Sequence, residues 1–306
     1  MGALRRLRYD LRHNHVLLFM MLPGFALLII FKYMPMYGIL VSFKDYQLFK
    51  GFLASKWVGF KQFQRFFNDP FFFRVVRNTF ILGFYNLIFT FPAPIFLALM
   101  LNEVRLRRFK RVVQTVSYLP FFISHVIIVG MLKSFLSPDN GVINNAIAAL
   151  GMEKINFFSL SSWFRTIYIG SELWQGVGYG SILYLAAITG IDQELYEAAR
   201  VDGASRVQNI IHITIPCLIP TISILFVMRV GGVITVGFEK VYLMYSSATY
   251  ETADVISTYV YRMGLMGTDP NISYATAIGL INSVVSMILV WGTNMFSRKF
   301  LEESLW

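Results

Sequence analysis

Long apolar runs dominate this 306-residue sequence and restrict what it can fold into. A helix needs about 20 apolar residues to cross a bilayer. Six stretches meet that requirement: residues 16–43, 80–101, 112–136, 166–190, 213–236 and 272–296. Only 14% of the residues are charged, against about 25% in soluble domains. The sequence therefore predicts an all-α integral membrane protein with six transmembrane helices and excludes a soluble cytosolic enzyme.

The basic residues predict which side of the membrane each segment faces. Four arginines lie in the N-terminal tail, five Lys or Arg lie between residues 102 and 111, and the segments 191–212 and 297–306 carry two each. Cytoplasmic segments are enriched in Lys and Arg, so both the N and C termini are predicted to be cytoplasmic. The net charge of +10 is then a matter of topology, and no nucleic-acid partner is expected.

The segment 44–79 is an exception, since it carries seven Lys or Arg on the predicted outer side. Its aromatic residues recur at helical spacing: Phe60, Phe63, Phe66 and Phe67. This pattern predicts an amphipathic helix at the outer interface. The first apolar run could instead be a signal peptide, but no small-residue cleavage site follows it, which favours an uncleaved first helix. The single Cys217 excludes a disulfide framework and a cysteine-based zinc cluster.

A polar segment between the fourth and fifth predicted spans carries the most specific pattern. Asp192 is placed to cap a short helix, and Arg200 lies in its last turn, where the helix dipole favours a cation. Gly203 can end this helix because it adopts a positive φ freely. The small side chains of Ala198 and Ala199 leave room for close packing by another protein. From the residues alone, a solvated connector is an equally good interpretation.

The spacing within this segment resembles that of a known family. Glu197-Ala198-Ala199, three residues, Gly203, nine residues and Ile213-x-Ile215-Pro216 resemble the EAA motif, EAA-x3-G-x9-I-x-L-P, of binding-protein-dependent ABC importer permeases. Ile215 in place of Leu is the one departure. Other stretches resemble the sugar-uptake subfamily, in particular its LplB-like polysaccharide or complex-sugar branch: residues 58–63, 69–71, 77–79, 117–121, 250–259 and 297–306. The resemblance covers nearly the whole chain.

The resemblance implies a type I ABC importer permease fold with a coupling loop at 191–216. The coupling residues that it transfers are Glu197, Ala198, Ala199 and Gly203, with Arg200 and Asp202 beside them. It also implies three regions: 1–75, with the cytoplasmic tail, the first transmembrane helix and the external segment; 76–296, the permease core; and 297–306, the C-terminal cytoplasmic tail.

The same resemblance implies a set of partners in the cytoplasmic membrane. These are a second homologous permease that forms a heterodimer, two copies of an ABC ATPase, and an extracellular solute-binding lipoprotein. The chain contains no G-x4-GK[ST] phosphate loop. We therefore expect it to be no enzyme and to bind no cofactor or metal, while ATP and Mg are used by the partner ATPase.

Three ionisable residues fall inside the predicted spans: Lys133, Glu172 and Arg229. At 1.5 Å per residue, all three lie about 5 to 10 Å from the outer edge of the hydrocarbon layer. Such groups usually pair or line a wet cavity. Either Glu172 forms a salt bridge with Arg229 or Lys133, or Glu172 or Arg229 faces the substrate.

The fourth span also carries aromatic and amide side chains that suit a sugar, namely Trp174, Gln175 and Tyr179. Sugars offer C–H faces that pack on aromatic rings and hydroxyls that need hydrogen-bond partners. The alternative is that these residues belong to the interfacial aromatic belt or pack between helices. The candidate pathway residues are therefore Glu172, Trp174, Gln175, Tyr179 and Arg229. Gly176 and Gly180 form a G-x3-G pair that predicts close helix packing.

Together these features predict an importer permease for a carbohydrate, either an oligosaccharide or a complex-sugar fragment. A permease of the same fold for another solute, such as a peptide, a polyamine or a phosphonate, remains an alternative. A membrane-embedded enzyme built on Glu172 and His125 is a second alternative, and a scaffold is a third. No catalytic residue is assigned.

Overall fold

The structure is a computed structural model that describes residues 15–266 and 270–300. The predicted N-terminal arginine-rich tail and residues 301–306 of the predicted C-terminal tail lie outside the described residues. The chain forms two units, one holding residues up to 68 together with 263–280, and the other holding residues 69–262 and those from 281 onward. The three-region division at residues 75 and 296 stays a prediction.

The first unit begins with a long apolar helix. Helix α1 spans His15–Leu28 and continues through a π-helical turn, Ile29–Tyr33, into a 3-10 segment, Met34–Phe43. Residues 15–38 are all exposed, although nearly all are apolar. An apolar surface of this length needs a nonaqueous environment, and the segment is long and hydrophobic enough to cross a membrane.

A small hairpin follows α1 within the same unit. Strand β1 (Lys44–Asp45) pairs antiparallel with β2 (Lys56–Trp57), with Lys44 opposite Trp57, and helix α2 (Gly51–Ala54) lies between them. Helix α3 spans Lys61–Phe67, which confirms the predicted short helix. Phe43 stacks on Trp57 with ring centroids 5.7 Å apart and also contacts Phe60 and Phe63. These aromatic contacts fix the hairpin against α3.

The regular secondary structure of the second unit, within its described residues, is helical. Its first helices are α4 (Phe72–Thr90), α5 (Pro92–Glu103), α6 (Arg107–Tyr118), α7 (His125–Phe135) and α8 (Val142–Ala149). The long helix α9 (Ser161–Thr189) precedes α10 (Gln193–Val201), α11 (Arg206–Asn209), a π-helical turn (Ile210–Thr214) and α12 (Ile215–Gly231). Then follow α13 (Phe238–Met244), α14 (Tyr250–Ala253) and α15 (Ile256–Tyr261). Helix α16 spans Ile272–Phe300, of which residues 281–300 belong to this unit.

Four helical segments of the described chain are long and apolar enough to cross a membrane: His15–Phe43, Phe72–Glu103, Arg206–Gly231 and Ile272–Lys299. They correspond to the predicted first, second, fifth and sixth spans. The fifth ends at Gly231, five residues before the predicted boundary at 236, because the chain turns at Gly232. Helix α9 has 29 residues, and it contains the predicted fourth span.

The predicted span over 112–136 is not one continuous helix. Helix α6 continues into a 3-10 turn (Leu119–Phe122), and α7 starts at His125. The axis of α7 makes an angle of 101° with that of the segment Arg107–Phe122. Ile123 and Ser124 have extended backbone angles, and the Ser124 hydroxyl caps α7 by accepting a hydrogen bond from the Ile127 N–H. Pro120 and this cap make the break a local property of the sequence.

Helix α9 is the centre of the second unit and packs against α4, α5, α6 and α12. One apolar cluster around it contains Leu82, Phe164, Tyr168 and Val241, and another contains Ala98, Tyr184, Leu185 and Leu218. The close approach of α9 to α6 occurs at Gly178, where an added Cβ would overlap the Ser117 carbonyl. The predicted contact at Gly176 is wrong, since an added Cβ there would meet open space.

A buried carboxylate holds the segment after α13 against α4. Asp254 is fully buried and accepts hydrogen bonds from Arg262 at 2.7 and 3.1 Å and from Arg74 at 3.2 Å. Burial opposes the charge of Arg262, but hydrogen bonding to Asp254 and the charge of that carboxylate outweigh it and raise the pKa of the guanidinium. The Arg262 guanidinium therefore stays charged over the whole physiological pH range.

Candidate functional site

The predicted coupling segment folds as a short capped helix. At the start of α10, the Asp192 carboxylate accepts a hydrogen bond from the Glu194 N–H at 3.0 Å. At its end, the Ala204 N–H donates to the Ala199 carbonyl and the Gly203 N–H to the Arg200 carbonyl. These two bonds form a Schellman motif, which requires a left-handed residue, and Gly203 has φ +79°. The role predicted for Gly203 as a helix terminator is confirmed.

A second cap follows at once and fixes the direction of the next helix. The Ser205 hydroxyl accepts a hydrogen bond from the Gln208 N–H, while the Gln208 side chain accepts one from the Ser205 N–H at 2.7 Å. This reciprocal pair is a capping box. The turn between α10 and α11 is therefore determined by hydrogen bonds among neighbours in the sequence.

The coupling helix presents most of its predicted site residues to the outside of this chain. Glu197, Ala198, Arg200, Asp202 and Gly203 are exposed, and Ala199 is half-buried. Apolar side chains beside them are exposed too, with Val201 88% and Leu195 47% accessible. An exposed surface of small, apolar and charged residues is suited to contact with another protein.

Two side-chain contacts connect this surface to the longer helices. The Tyr196 hydroxyl lies 2.9 Å from the Thr214 hydroxyl, which is buried directly before α12. Arg206 lies 3.9 Å from the Glu103 carboxylate at the end of α5. Helix α10 is therefore linked to α12 by a hydrogen bond as well as through the chain.

A cavity of about 370 Å³ lies between α4, α5, α9 and α12. Helix α9 supplies a stripe of its lining at spacings of three and four residues: Glu172, Gln175, Gly176, Tyr179, Gly180 and Leu183. Residues at these spacings share one face of a helix. A second cavity of about 240 Å³ shares Glu172, His125 and Arg229 with the first and reaches Lys240.

A charged network is centred on Glu172, which lines both cavities. The Lys240 ammonium donates to the Glu172 carboxylate at 2.8 Å and to the Gln175 side-chain carbonyl at 3.2 Å. The Gln175 amide donates in turn to the Ile123 carbonyl at 3.0 Å. That carbonyl lies at the break between α6 and α7, where helical hydrogen bonding is interrupted. The network therefore supplies a donor to a carbonyl at the break, and it holds the break against α9 and α13.

The expectation of a salt bridge between Glu172 and Arg229 or Lys133 is wrong. The ion-pair partner of Glu172 is instead Lys240, which follows the fifth predicted span and is almost fully buried. Arg229 donates to the Asn86 and Thr90 side chains on α4 at 2.7 and 2.9 Å. Lys133 lies 6.0 Å from the centre of the Phe158 ring. Lys240 was not predicted as the partner of Glu172 because it lies outside the predicted spans.

An aromatic pair forms another part of the larger cavity's wall. The rings of Phe121 and Tyr179 are stacked, with centroids 3.8 Å apart and planes 5° from parallel.

His125, which begins α7, places Nδ1 3.1 Å from the Glu239 carboxylate. The catalytic pair considered for Glu172 and His125 is therefore not formed, because each residue is bound to a different partner.

The structure brings four of the five candidate pathway residues together. Glu172, Gln175, Tyr179 and Arg229 line the larger cavity. Trp174 does not, and it lies 47% exposed beside an apolar depression formed with Ile128, Leu132 and other residues of α7 and α9. A residue two positions after Glu172 points away from Glu172 on a helix, so helical spacing could have excluded Trp174.

Comparison with solved structures shows the fold. The chain is similar to a chain in the crystal structure of a bacterial ABC transporter involved in the import of the acidic polysaccharide alginate. The TM-score is 0.89 and the sequence identity is 45%, over 96% of this chain and 99% of that one. It is equally similar to a chain of a bacterial alginate ABC transporter in complex with an alginate pentasaccharide-bound periplasmic protein, with a TM-score of 0.90, 44% identity, and coverage of 98% and 100%. The fold is that of a type I ABC transporter permease.

Sequence relatives agree with this class. Protein LplB of Bacillus subtilis (strain 168) is 46% identical over 96% of this chain and 92% of its own length. The polygalacturonan/rhamnogalacturonan transport system permease protein YteP of the same organism is 44% identical over 99% and 94%. The model of the binding-protein-dependent transport system inner membrane component matches residues 71–302. The chain belongs to this family, and it is a multi-pass transport protein of the cytoplasmic membrane and not an enzyme.

Proposed function

We propose that this chain is a permease subunit of an ATP-driven importer that moves a carbohydrate across the cytoplasmic membrane. The observation that carries this proposal is the exposed, doubly capped α10, which bears the coupling motif and connects directly to the helix that lines the cavity. Such an arrangement allows an event at a docked partner to change the cavity, as alternating access requires. Glu197, Ala198, Ala199, Arg200, Asp202 and Gly203 are the proposed coupling residues.

The proposed substrate is an oligosaccharide or a fragment of a complex sugar. Relatives are named for polygalacturonan/rhamnogalacturonan transport and for import of the acidic polysaccharide alginate. The cavity supports this assignment, since Phe121 and Tyr179 offer aromatic surface while Gln175 and Arg229 offer polar groups. Ligand sites combine these two features. A peptide, polyamine or phosphonate permease of the same fold is not favoured by any of these relatives.

Four partners complete the proposed machine. A second, homologous permease forms a heterodimer with this chain, two copies of an ABC ATPase use ATP and Mg at the cytoplasmic side, and an external solute-binding lipoprotein delivers the sugar. The crystal structure of the alginate importer with a periplasmic protein supports the last of these partners. This chain itself is proposed to bind neither nucleotide nor metal.

The proposed topology has six spans with both termini cytoplasmic. The four apolar segments, the bent pair of α6 and α7, and α9 make up the six. Helix α9 is less hydrophobic than the four apolar segments because it carries the polar side chains of the cavity. Its 29 residues extend about 43 Å, which is enough to cross the bilayer.

Cysteine labelling tests this topology. The native Cys217 is exposed and is first replaced by Ser. In that background, Ala198→Cys should react with a membrane-impermeant maleimide only in inside-out vesicles. Gln64→Cys in α3 should react only in right-side-out vesicles. The reverse pattern would overturn the proposed orientation.

Copurification and uptake test the function. The tagged chain, isolated from its native membrane, should bring with it an ATPase, a second permease and a solute-binding lipoprotein, all identified by mass spectrometry. The reconstituted complex should import an oligosaccharide in an ATP-dependent manner. ATP-dependent uptake of a peptide or a polyamine, with no carbohydrate uptake, would contradict the proposal.

A further inference from the structure

Arg229 lies where the two cavities of the second unit adjoin. It lines the larger cavity of about 370 Å³ and the smaller one of about 240 Å³. The larger volume falls in the range of about 300 to 1,000 Å³ that is usual for ligand sites. A guanidinium in this position therefore faces any solute that occupies either cavity.

The hydrogen-bond partners of Arg229 are uncharged. Its Nη2 atom donates to the Asn86 side-chain oxygen at 2.7 Å and to the Thr90 hydroxyl at 2.9 Å. Thr90 in turn donates to the Asn86 side chain at 2.8 Å and to the Asn86 carbonyl at 2.7 Å. These bonds orient the guanidinium from α4, while its Nε and Nη1 donors make no hydrogen bond to the part of the chain that the structure describes.

The nearby carboxylates already have other partners. Glu172 binds Lys240 at 2.8 Å, and Glu239 lies 3.1 Å from His125. No carboxylate within residues 15–266 and 270–300 lies within salt-bridge distance of Arg229. An ionised group inside a membrane protein is normally paired or faces a wet pathway. Arg229 is thus an oriented cation that has no counter-charge within the described chain.

The wall of the larger cavity adds the second half of a sugar site. The stacked rings of Phe121 and Tyr179 line the same space as Arg229. Aromatic surface packs on the C–H face of a pyranose, and a guanidinium is the side chain best matched to a carboxylate. A hexuronic acid unit carries both of these features, whereas a neutral hexose lacks the carboxylate.

We infer that Arg229 binds the carboxylate of a uronic acid unit as the saccharide passes, so that the permease itself selects acidic over neutral oligosaccharides. This inference rests on the proposed carbohydrate import. The selection is separate from that of the solute-binding protein, because it is made by a residue of the translocation cavity.

The experiment is uptake by the complete transporter with its own solute-binding protein in proteoliposomes. The probes are the trisaccharides of galacturonate and mannuronate and their carboxyl-reduced, neutral counterparts. Because the same binding protein is used throughout, its preference enters the ratio of acidic to neutral uptake equally for every variant and cancels when a variant is compared with the wild type. Arg229→Gln should lower this ratio about tenfold, since it removes one charge-assisted hydrogen-bonding group, and Arg229→Lys should keep part of it.

Two further variants make the result specific. Asn86→Asp retains Arg229 but gives it a carboxylate within the protein, and it should also lower the ratio, even if Arg229→Gln fails to assemble. Lys133→Gln is the matched control, because it removes an exposed cation that lines neither cavity, and it should leave the ratio unchanged.

The outcomes separate the inference from the proposed function. An unchanged ratio in Arg229→Gln and Asn86→Asp, or an equal loss of both kinds of uptake, would overturn the inference. Wild-type uptake of neutral trisaccharides alone would overturn it too, while carbohydrate import would stand. ATP-dependent uptake of another solute, with no carbohydrate uptake by the wild type, would overturn the proposed function itself.

Discussion

The ammonium of Lys240 lies 2.8 Å from the carboxylate of Glu172, and this ion pair joins α13 to α9. The Lys240 side chain is 1% exposed, and that of Glu172 is 25% exposed toward the cavities. Such a pair stabilises little over a matched apolar pair, but loss of one partner leaves a buried charge uncompensated. The integrity of the cavity wall therefore depends on both residues being present.

Replacement of Lys240 with Met should strongly destabilise the transporter. We expect a loss of about 3 kcal/mol, the lower end of the range for a broken buried pair, because Glu172 is partly hydrated. Thermal unfolding of the purified complex measures this loss. The double variant Glu172→Gln with Lys240→Met should be more stable than Lys240→Met alone.

Lys133→Met is the control for this cycle, because Lys133 is exposed and its removal breaks no ion pair within the described chain. Its unfolding temperature should be close to that of the wild type. Strictly additive losses from the Glu172 and Lys240 substitutions would show that the two residues do not interact.

Gln175 should be needed to hold the break between α6 and α7. Gln175→Leu removes the donor to the Ile123 carbonyl and the acceptor of Lys240, and an unsatisfied buried polar group costs about 1 to 3 kcal/mol. Gln175→Glu keeps an acceptor for Lys240 but loses the donor and adds a second carboxylate beside Glu172, so its unfolding temperature should also fall below that of the wild type. A Gln175→Leu variant as stable as the wild type would contradict the assigned role.

Gly203→Ala should weaken coupling without preventing membrane insertion. A Cβ is disfavoured at φ +79° by about 1 to 2 kcal/mol, so the Schellman turn should open and displace α11. We expect a several-fold fall in sugar uptake per ATP hydrolysed, and Gly203→Asp should act in the same direction. Both rates are measured on one reconstituted preparation.

Gly151→Ala is the matched control for that substitution. Gly151 has φ +78° and open space around its Cα, so the backbone strain is the same, but the residue lies after α8 and away from the coupling loop. Uptake per ATP should not change in this variant. An equal effect of both substitutions would mean that general strain, and not coupling, explains the result.

The hydrogen bond between Tyr196 and Thr214 should contribute to transmission from α10 to α12. Tyr196→Phe removes one hydroxyl and about 1 kcal/mol of interaction, and it should reduce the stimulation of ATP hydrolysis by the loaded solute-binding protein several-fold. Thr214→Val should have the same effect. The combination should be no worse than either single change, whereas multiplied effects would indicate independent roles.

The coupling loop could be predicted from the sequence because its structure is local. Asp192 lies two residues from the N–H that it caps, and Gly203 terminates α10 through bonds to neighbouring residues. Short-range patterns of this kind are determined by residue type and spacing. The docking of a partner on this loop remains a prediction.

The cavity could be predicted only in part because its contacts are long-range. Glu172 and Lys240 are 68 residues apart in sequence, and the 101° change of direction after Phe122 interrupts an apolar run that resembles one helix. Hydropathy does not report such a break. Helical periodicity, however, did contain the information needed to separate Trp174 from the stripe that begins at Glu172.

The double cap between α10 and α11 also bears on how such chains diverge. The caps at both ends of α10 and at the start of α11 are formed by hydrogen bonds within residues 192–208. The side chains that line the cavity, in contrast, come from distant parts of the chain. Mutations can therefore remodel the cavity, residue by residue, without disturbing the proposed docking surface. Permeases that share an ancestor could thus acquire a new substrate while keeping the same ATPase partner.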